Sequence, residues 1–205
     1  MFSSNKPLMV GFTICSSTLS IKAWLAKGTG LIVKPTIKGL LEENIDYRGF
    51  IFIGLMNDDG EPKVIEYNCR MGDPETEVVI PRIESDLLDL LQGVASQTLH
   101  TKQFSVSAKT ASAVVLVSGG YPEDYEKHIE ISHYKSTEDS LVFHSGTILK
   151  NDKVVTNGGR VFAITSFGDT IKEAVTKSFA TAEIITYNKK YYRNDIGKDL
   201  MLLVK

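Results

Sequence analysis

The chain has 205 residues, of which 42% are hydrophobic and 23% are charged, a composition typical of a globular protein with one large or two small cores. A net charge of -2 gives no basic surface for nucleic acid or for an anionic membrane, so neither is an expected partner. The only cysteines, Cys15 and Cys69, are too few for a disulfide scaffold or a zinc site, and they predict a cytoplasmic location.

The first predicted elements are a helix and a hairpin. Apolar residues at helical spacing predict a helix over 32–41, after the break at Gly28-Thr29-Gly30. A continuous apolar run over 50–56 predicts a strand, and the turn residues at 57–60 separate it from a second strand over 63–68. Any functional side chain on this second strand is therefore positioned by a β-hairpin.

The rest of the chain predicts a helix and then a small domain of strands. Ser85 and Asp86 are suited to begin a helix, whose expected buried stripe is Leu87, Leu88, Leu90, Leu91 and Val94. We place a domain boundary near residue 104, after a polar stretch. An amphipathic helix is predicted over 169–185, and it follows predicted strands at 113–117, 141–144, 147–149 and 161–164.

Polar side chains cluster at the end of the second hairpin strand. Alternation puts Val64, Glu66 and Asn68 on one face, so Glu66 and Asn68 can bind one ion together. Carboxylate and amide oxygens suit Mg²⁺, which completes its shell with water and phosphate oxygens and so implies a nucleoside triphosphate. Arg70 adds a permanent charge that can stabilise a transferring phosphoryl group. A surface ion pair beside a strand-end asparagine is the alternative.

Two neighbouring features are open to more than one interpretation. Cys69 alternates to the far face of the strand and is predicted to be a buried, unreactive thiol. The segment Asn157-Gly158-Gly159-Arg160 can bring backbone N-H groups close to an anion, or it can simply turn a hairpin.

Four stretches, in order along the chain, carry a resemblance to a known family. From about Val33 to the carboxy terminus the sequence resembles phosphoribosylamine-glycine ligase, also called glycinamide ribonucleotide synthetase, an ATP-grasp enzyme of purine biosynthesis. The run Arg70-Met71-Gly72-Asp73-Pro74-Glu75 is close to a signature of that family. The stretches are Lys34-Pro35-Thr36 with Tyr47-Arg48-Gly49-Phe50; 64–82; Ser118-Gly119-Gly120-Tyr121-Pro122; and 156–161 followed by 192–197.

The resemblance implies a carbon-nitrogen ligase. Such an enzyme uses ATP to convert glycine into glycyl phosphate, which 5-phosphoribosylamine attacks to give glycinamide ribonucleotide, ADP and phosphate. Mg²⁺ or Mn²⁺ is the implied cofactor, and Glu66 and Asn68 match its ligands. Arg70 matches a catalytic position near the transferred phosphoryl group, and Asp73 and Arg160 are implied substrate contacts. An Asp before a Pro also commonly holds a turn.

The resemblance also implies an α+β fold in three parts. Residues 1–32 are expected to be a leader unlike the family, 33–103 the carboxy-terminal part of an ATP-grasp domain, and 104–205 the small carboxy-terminal domain of the ligase. The phosphate-binding lysine and glycine-rich loop of such enzymes have no counterpart before Val33. Either the chain works with a separate amino-terminal half of the enzyme, or it is an inactive truncated remnant that folds but cannot turn over alone.

Overall fold

The computed structural model describes residues 10–15, 29–58 and 61–201, and the chain divides into two compact units. The first unit comprises Met1–Asp73 and Ser85–Ser105, and the second comprises Pro74–Glu84 and Val106–Lys205. Within the described ranges, no helix is long and apolar enough to cross a membrane.

Helices and strands are mixed along the chain, as an α+β fold requires. In chain order they are β1 (Val10–Cys15), a π-helical turn (Thr29–Val33), α1 (Lys34–Glu42), β2 (Phe50–Asp58), β3 (Glu61–Asn68), α2 (Thr76–Val79), a 3₁₀ turn (Ile80–Arg82), α3 (Leu87–Ala95), a 3₁₀ turn (Leu99–Thr101), β4 (Thr110–Val117), β5 (Ser140–His144), β6 (Thr147–Lys150), β7 (Lys153–Thr156), β8 (Arg160–Gly168), α4 (Ile171–Ile184) and α5 (Lys198–Met201).

The first unit is built on an antiparallel sheet of order β1-β2-β3. The central strand β2 is buried from Phe52 to Leu55, as expected for its continuous apolar run. The core cluster consists of Ile32, Val33, Ile53 and Leu55. This arrangement confirms the predicted hairpin strands and places β3 at an edge of the sheet that the described strands form. Of the predicted turn at 57–60, residues 59–60 lie outside the described part of the chain.

Helix α3 begins as predicted but buries a different face. The Asp86 side chain accepts a hydrogen bond from the Asp89 backbone N-H at 3.1 Å and caps the helix. Leu90 and Gly93 are buried, whereas Leu88 is 64% exposed and Leu91 is 42% exposed, so the predicted leucine stripe was wrong for these two. A Cβ at Gly93 would lie 3.2 Å from Leu99 Cα, so close packing at this glycine selects the buried face.

The second unit contains an antiparallel sheet of order β4-β8-β5 and a separate β6-β7 hairpin. The predicted strands are confirmed, and β7 is an additional strand that the sequence did not predict. Helix α4 packs on β4 and β8, and Thr170 caps its start by accepting from the Glu173 N-H. The core includes Val114, Leu116, Phe162 and Ile164.

Candidate active site

Glu66 and Asn68 lie together on β3, as the alternation predicted. Asn68 Nδ2 donates a hydrogen bond to Glu66 Oε1 at 2.9 Å. Glu66 is exposed and Asn68 is half-buried, so both side chains can be reached from solvent. Two oxygen-bearing side chains at hydrogen-bond distance are suited to bind the same hard cation.

The alternation is interrupted immediately before Glu66. Gly54 of β2 pairs with Glu66, but the next residue, Leu55, pairs with Val64, so Ile65 is an extra residue in β3. Because neighbours on β2 point to opposite faces, this register puts Val64 on the face opposite to Glu66. The prediction that Val64 shares a face with Glu66 and Asn68 was therefore wrong.

Arg70 and Asp73 follow the end of β3 in the same unit. Both residues are exposed. Arg70 Nη1 donates to the Met71 carbonyl oxygen at 2.9 Å, a local contact with the neighbouring residue. Asp73 begins the turn that leads into α2. An exposed guanidinium close in sequence to the Glu66-Asn68 pair is suited to contact phosphate oxygens.

Arg160 belongs to the second unit, where it begins β8. Its backbone carbonyl accepts a hydrogen bond from the Gly146 N-H at 2.8 Å. The two preceding glycines are explained by close packing, because a Cβ at Gly159 would lie 2.0 Å from the Tyr121 ring and one at Gly158 would lie 3.0 Å from Gly146 Cα. The loop thus has a structural reason for its glycines, and Arg160 is an exposed residue at its end.

Cys69 is exposed, so the predicted burial of its thiol was wrong. The physical reason is that β3 ends at Asn68, and alternation no longer determines the environment of the next side chain. The Tyr47 hydroxyl donates to the Phe50 carbonyl oxygen at 2.7 Å. Burial, and to a smaller extent the neighbouring Cys69 thiol, raise the pKa of Tyr47. No pattern in the sequence indicated the contact between the Tyr47 hydroxyl and the Phe50 carbonyl oxygen.

The donor set fits a divalent cation that keeps most of its shell for other ligands. Glu66 and Asn68 offer only oxygen donors to a metal, the preference of Mg²⁺ and Mn²⁺ rather than of zinc. Among the described residues, no group of three or more His, Cys, Asp or Glu side chains could hold a metal ion. Glu66 and Asn68 would supply two ligands to a cation bound here, and water and phosphate oxygens suit its remaining positions.

Comparison with protein-family models gives two matches. Residues 12–76 match the ATP-grasp (A) domain of phosphoribosylglycinamide synthetase, and residues 111–199 match the C domain of the same enzyme. The first match begins inside the stretch 1–32 that we expected to be unlike the family, and it includes Glu66, Asn68, Arg70 and Asp73. The second includes Arg160.

Comparison with curated proteins identifies the same family. The chain is 43% identical over 169 residues to phosphoribosylamine-glycine ligase from Vibrio cholerae, covering 81% of this chain and 39% of the relative. It is 45% identical over 169 residues to the bifunctional purine biosynthetic protein PUR2,5 from Pichia angusta, covering 81% of this chain and 21% of the relative. The chain thus spans well under half the length of these relatives.

Solved structures show the same fold. Phosphoribosylamine-glycine ligase from Thermotoga maritima matches with a TM-score of 0.73 and 34% identity, over 90% of this chain and 45% of that one. Biotin carboxylase from Campylobacter jejuni matches with a TM-score of 0.56 and 11% identity, over 82% of this chain and 38% of that one, a likeness of fold alone. The sheet, the site and these matches together identify the chain as part of an ATP-grasp protein. Within that class, the chain belongs to the phosphoribosylamine-glycine ligase family.

Proposed function

We propose that this chain supplies the metal-binding edge strand and the carboxy-terminal domain of a phosphoribosylamine-glycine ligase. The observation that carries the proposal is the Glu66-Asn68 pair on β3, followed two residues later by the exposed guanidinium of Arg70. In this proposal residues 33–103 are the carboxy-terminal part of the ATP-grasp domain and 104–205 are the small carboxy-terminal domain. The cytoplasmic location stays a prediction from cysteine content.

The proposed reaction joins glycine to 5-phosphoribosylamine in two steps. A glycine carboxylate oxygen attacks the γ-phosphorus of ATP, the bond to the bridging oxygen breaks, and ADP leaves. The amine nitrogen of phosphoribosylamine then attacks the carbonyl carbon of glycyl phosphate, losing a proton and displacing inorganic phosphate. The product is glycinamide ribonucleotide, and one ATP is consumed for each amide formed.

Each site residue has a role in the proposal that its chemistry supports. Glu66 and Asn68 hold Mg²⁺ or Mn²⁺, which neutralises phosphate charge when bound. Arg70 contacts the transferring phosphoryl group, where a two-point guanidinium contact stabilises the charge that develops. Asp73 orients the amine of a substrate through a charge-assisted hydrogen bond. Arg160 contacts an anionic group of the substrate.

The proposal is tested by measuring phosphate release from ATP in the presence of glycine and phosphoribosylamine. The chain is assayed alone and mixed with a separately expressed amino-terminal half of a related ligase, which supplies the nucleotide-holding parts. We expect substrate-dependent turnover in the mixture and negligible turnover by the chain alone. Omitting glycine from the mixture is the control for unproductive ATP hydrolysis.

The matched variant for this assay is Glu66→Ala, with Glu43→Ala as its control because Glu43 is an exposed carboxylate of the same unit outside the site. Turnover that is lost with Glu66→Ala and kept with Glu43→Ala supports the assigned site. Turnover of the mixture that is unchanged by Glu66→Ala would remove Glu66 from the metal site. A folded chain that forms a complex with the amino-terminal half and yet gives no turnover would instead identify an inactive remnant.

A further inference from the structure

The edge strand β3 carries an irregularity directly before its candidate metal ligand. The pairing of β2 with β3 shifts between Gly54 and Leu55, which leaves Ile65 as an extra residue in β3. Such a bulge bends a strand, increases its twist and changes the direction of the next side chain. The side chain that follows this bulge is Glu66.

Opposite Glu66, the central strand β2 has a glycine where it otherwise carries bulky apolar residues. A Cβ built on Gly54 would lie 3.2 Å from Glu66 Cγ and 3.6 Å from Phe52 Cε1. The Glu66 stem therefore crosses the space that any side chain at position 54 would occupy. The backbone of Gly54 is outside the left-handed region, so its conformation alone does not require glycine.

We propose that Gly54 and the Ile65 bulge form a positioning device that sets the direction of the Glu66 carboxylate relative to Asn68. The bulge turns the Glu66 side chain, and the missing Cβ at Gly54 lets its stem lie flat across β2. The carboxylate then reaches Asn68 Nδ2 at 2.9 Å. This inference rests on the proposed function, and it assigns to Gly54 a part in metal binding without any contact with the metal.

Other glycines of the same unit differ from Gly54 in this respect. At Gly39 in α1, nothing lies within 4 Å of the position that a Cβ would take. Gly39→Ala is therefore a matched control that adds the same methyl group to the same unit without touching Glu66. Gly54→Ala instead requires the Glu66 stem to move by a few tenths of an ångström, because a contact of 3.2 Å is tighter than most carbon contacts.

The test is a titration of the full chain with MnCl₂, followed by the relaxation rate of water protons, with no nucleotide or substrate present. We expect Gly54→Ala to weaken Mn²⁺ binding by about tenfold, the size of effect typical for residues that orient a metal ligand. Gly39→Ala should bind Mn²⁺ as the parent does. Circular dichroism and the melting temperature of both variants establish that each one is folded.

The double variant Gly54→Ala/Glu66→Ala shows whether Gly54 acts through Glu66. If it does, Gly54→Ala has no further effect once Glu66 is absent. Suppose that Glu66→Ala weakens Mn²⁺ binding but that Gly54→Ala binds Mn²⁺ as tightly as the parent does. This result would overturn the inference and leave the metal site intact. Binding that Glu66→Ala does not weaken would instead overturn the metal site of the proposed function, and the inference with it.

Discussion

Asn68 faces the Glu66 carboxylate with its amide nitrogen, which donates to Glu66 Oε1 at 2.9 Å. A cation can be bound only by the amide oxygen, because the amide nitrogen carries no available lone pair. Binding of one metal ion by both residues would therefore use the amide oxygen of Asn68 beside a carboxylate oxygen of Glu66. The hydrogen bond keeps the two side chains next to each other, so that both can contact the same ion.

Replacing that amide by a carboxylate should make stability depend on divalent cations. Asn68→Asp loses the hydrogen bond and sets two negative charges side by side, so we expect a loss of less than about 1 kcal/mol without metal. Mn²⁺ should then stabilise the variant more than the parent, because it offsets the repulsion. Melting temperatures with EDTA and with MnCl₂ check this, and an equal response of both proteins to Mn²⁺ would contradict it.

Arg70 should affect the rate of phosphoryl transfer more than the binding of ATP. The assay uses the two-chain assembly, which is this chain mixed with the amino-terminal half of a related ligase. In it we expect Arg70→Met to lower kcat by about 10²-fold, as the loss of a transition-state donor typically does. Arg70→Lys should lie between Arg70→Met and the parent, since it keeps the charge but loses the planar fork.

Lys63→Met is the control for Arg70→Met, because Lys63 is an exposed cation on β3. Steady-state kinetics with varied ATP separates kcat from KM. A change confined to the KM for ATP, with kcat unaltered, would mean that Arg70 only binds the nucleotide.

Cys69 provides a chemical probe of the site, because its exposed thiol lies between Asn68 and Arg70 in the sequence. In a Cys15→Ser background it is the only thiol of the chain. We expect a maleimide to label it readily, and Mg²⁺ with ADP to slow the labelling several-fold in the two-chain assembly. Intact-mass spectrometry gives the rates. Equal rates with and without nucleotide would mean that the phosphates bind away from the end of β3.

A buried hydroxyl cluster should stabilise the second unit. Ser178 Oγ lies 2.8 Å from Ser112 Oγ and donates to Ser166 Oγ at 2.9 Å, and all three residues are buried. Ser178→Ala leaves these hydroxyls short of a partner, which should lower the free energy of unfolding by about 1–3 kcal/mol. Thr176→Ala, on the exposed side of the same helix, should change it by less than about 0.5 kcal/mol. Urea unfolding measures both, and equal effects would contradict a role for the cluster.

Local signals were enough to predict the hairpin and the pairing of Glu66 with Asn68. The apolar run of β2 and the alternation between positions 66 and 68 depend on the backbone of a single strand. The position of Val64 was not predictable in this way, because the bulge at Ile65 depends on how β3 packs against Gly54 of another strand. Val64, two positions before Glu66, was therefore assigned to the wrong face.

The remaining errors also come from tertiary structure. Cys69 is exposed because β3 lies at an edge of the described sheet and ends at the preceding residue. The local sequence pattern does not predict the order of the strands in a sheet. The exposure of Leu88 and Leu91 follows from the close contact of Gly93 with Leu99, which selects one of two apolar faces of α3. In both cases the packing between elements decides which side chains are exposed, and the pattern within one element does not show it.

The carboxy-terminal stretch contains an ion pair whose pH dependence can be measured directly. Arg193 donates from Nε to Asp195 Oδ1 at 2.9 Å and from Nη2 to Asp195 Oδ2 at 2.8 Å. These hydrogen bonds lower the pKa of Asp195 from its ordinary value of 3.8 to about 2. Because the folded pKa is the lower one, the pair stabilises the fold above pH 3.8, and this stabilisation is lost as the pH falls from 3.8 to about 2.

We expect Arg193→Gln to return the pKa of Asp195 toward 3.8, since it removes the charged donor. A ¹³C NMR titration of the Asp195 carboxyl carbon measures the pKa in both proteins. Lys189→Met is the control, because it removes a cation from the same unit that pairs instead with Glu126 at 3.1 Å. An Asp195 that titrates near 3.8 already in the parent, or that shifts equally in both variants, would contradict the assignment of the low pKa to the Arg193 contact.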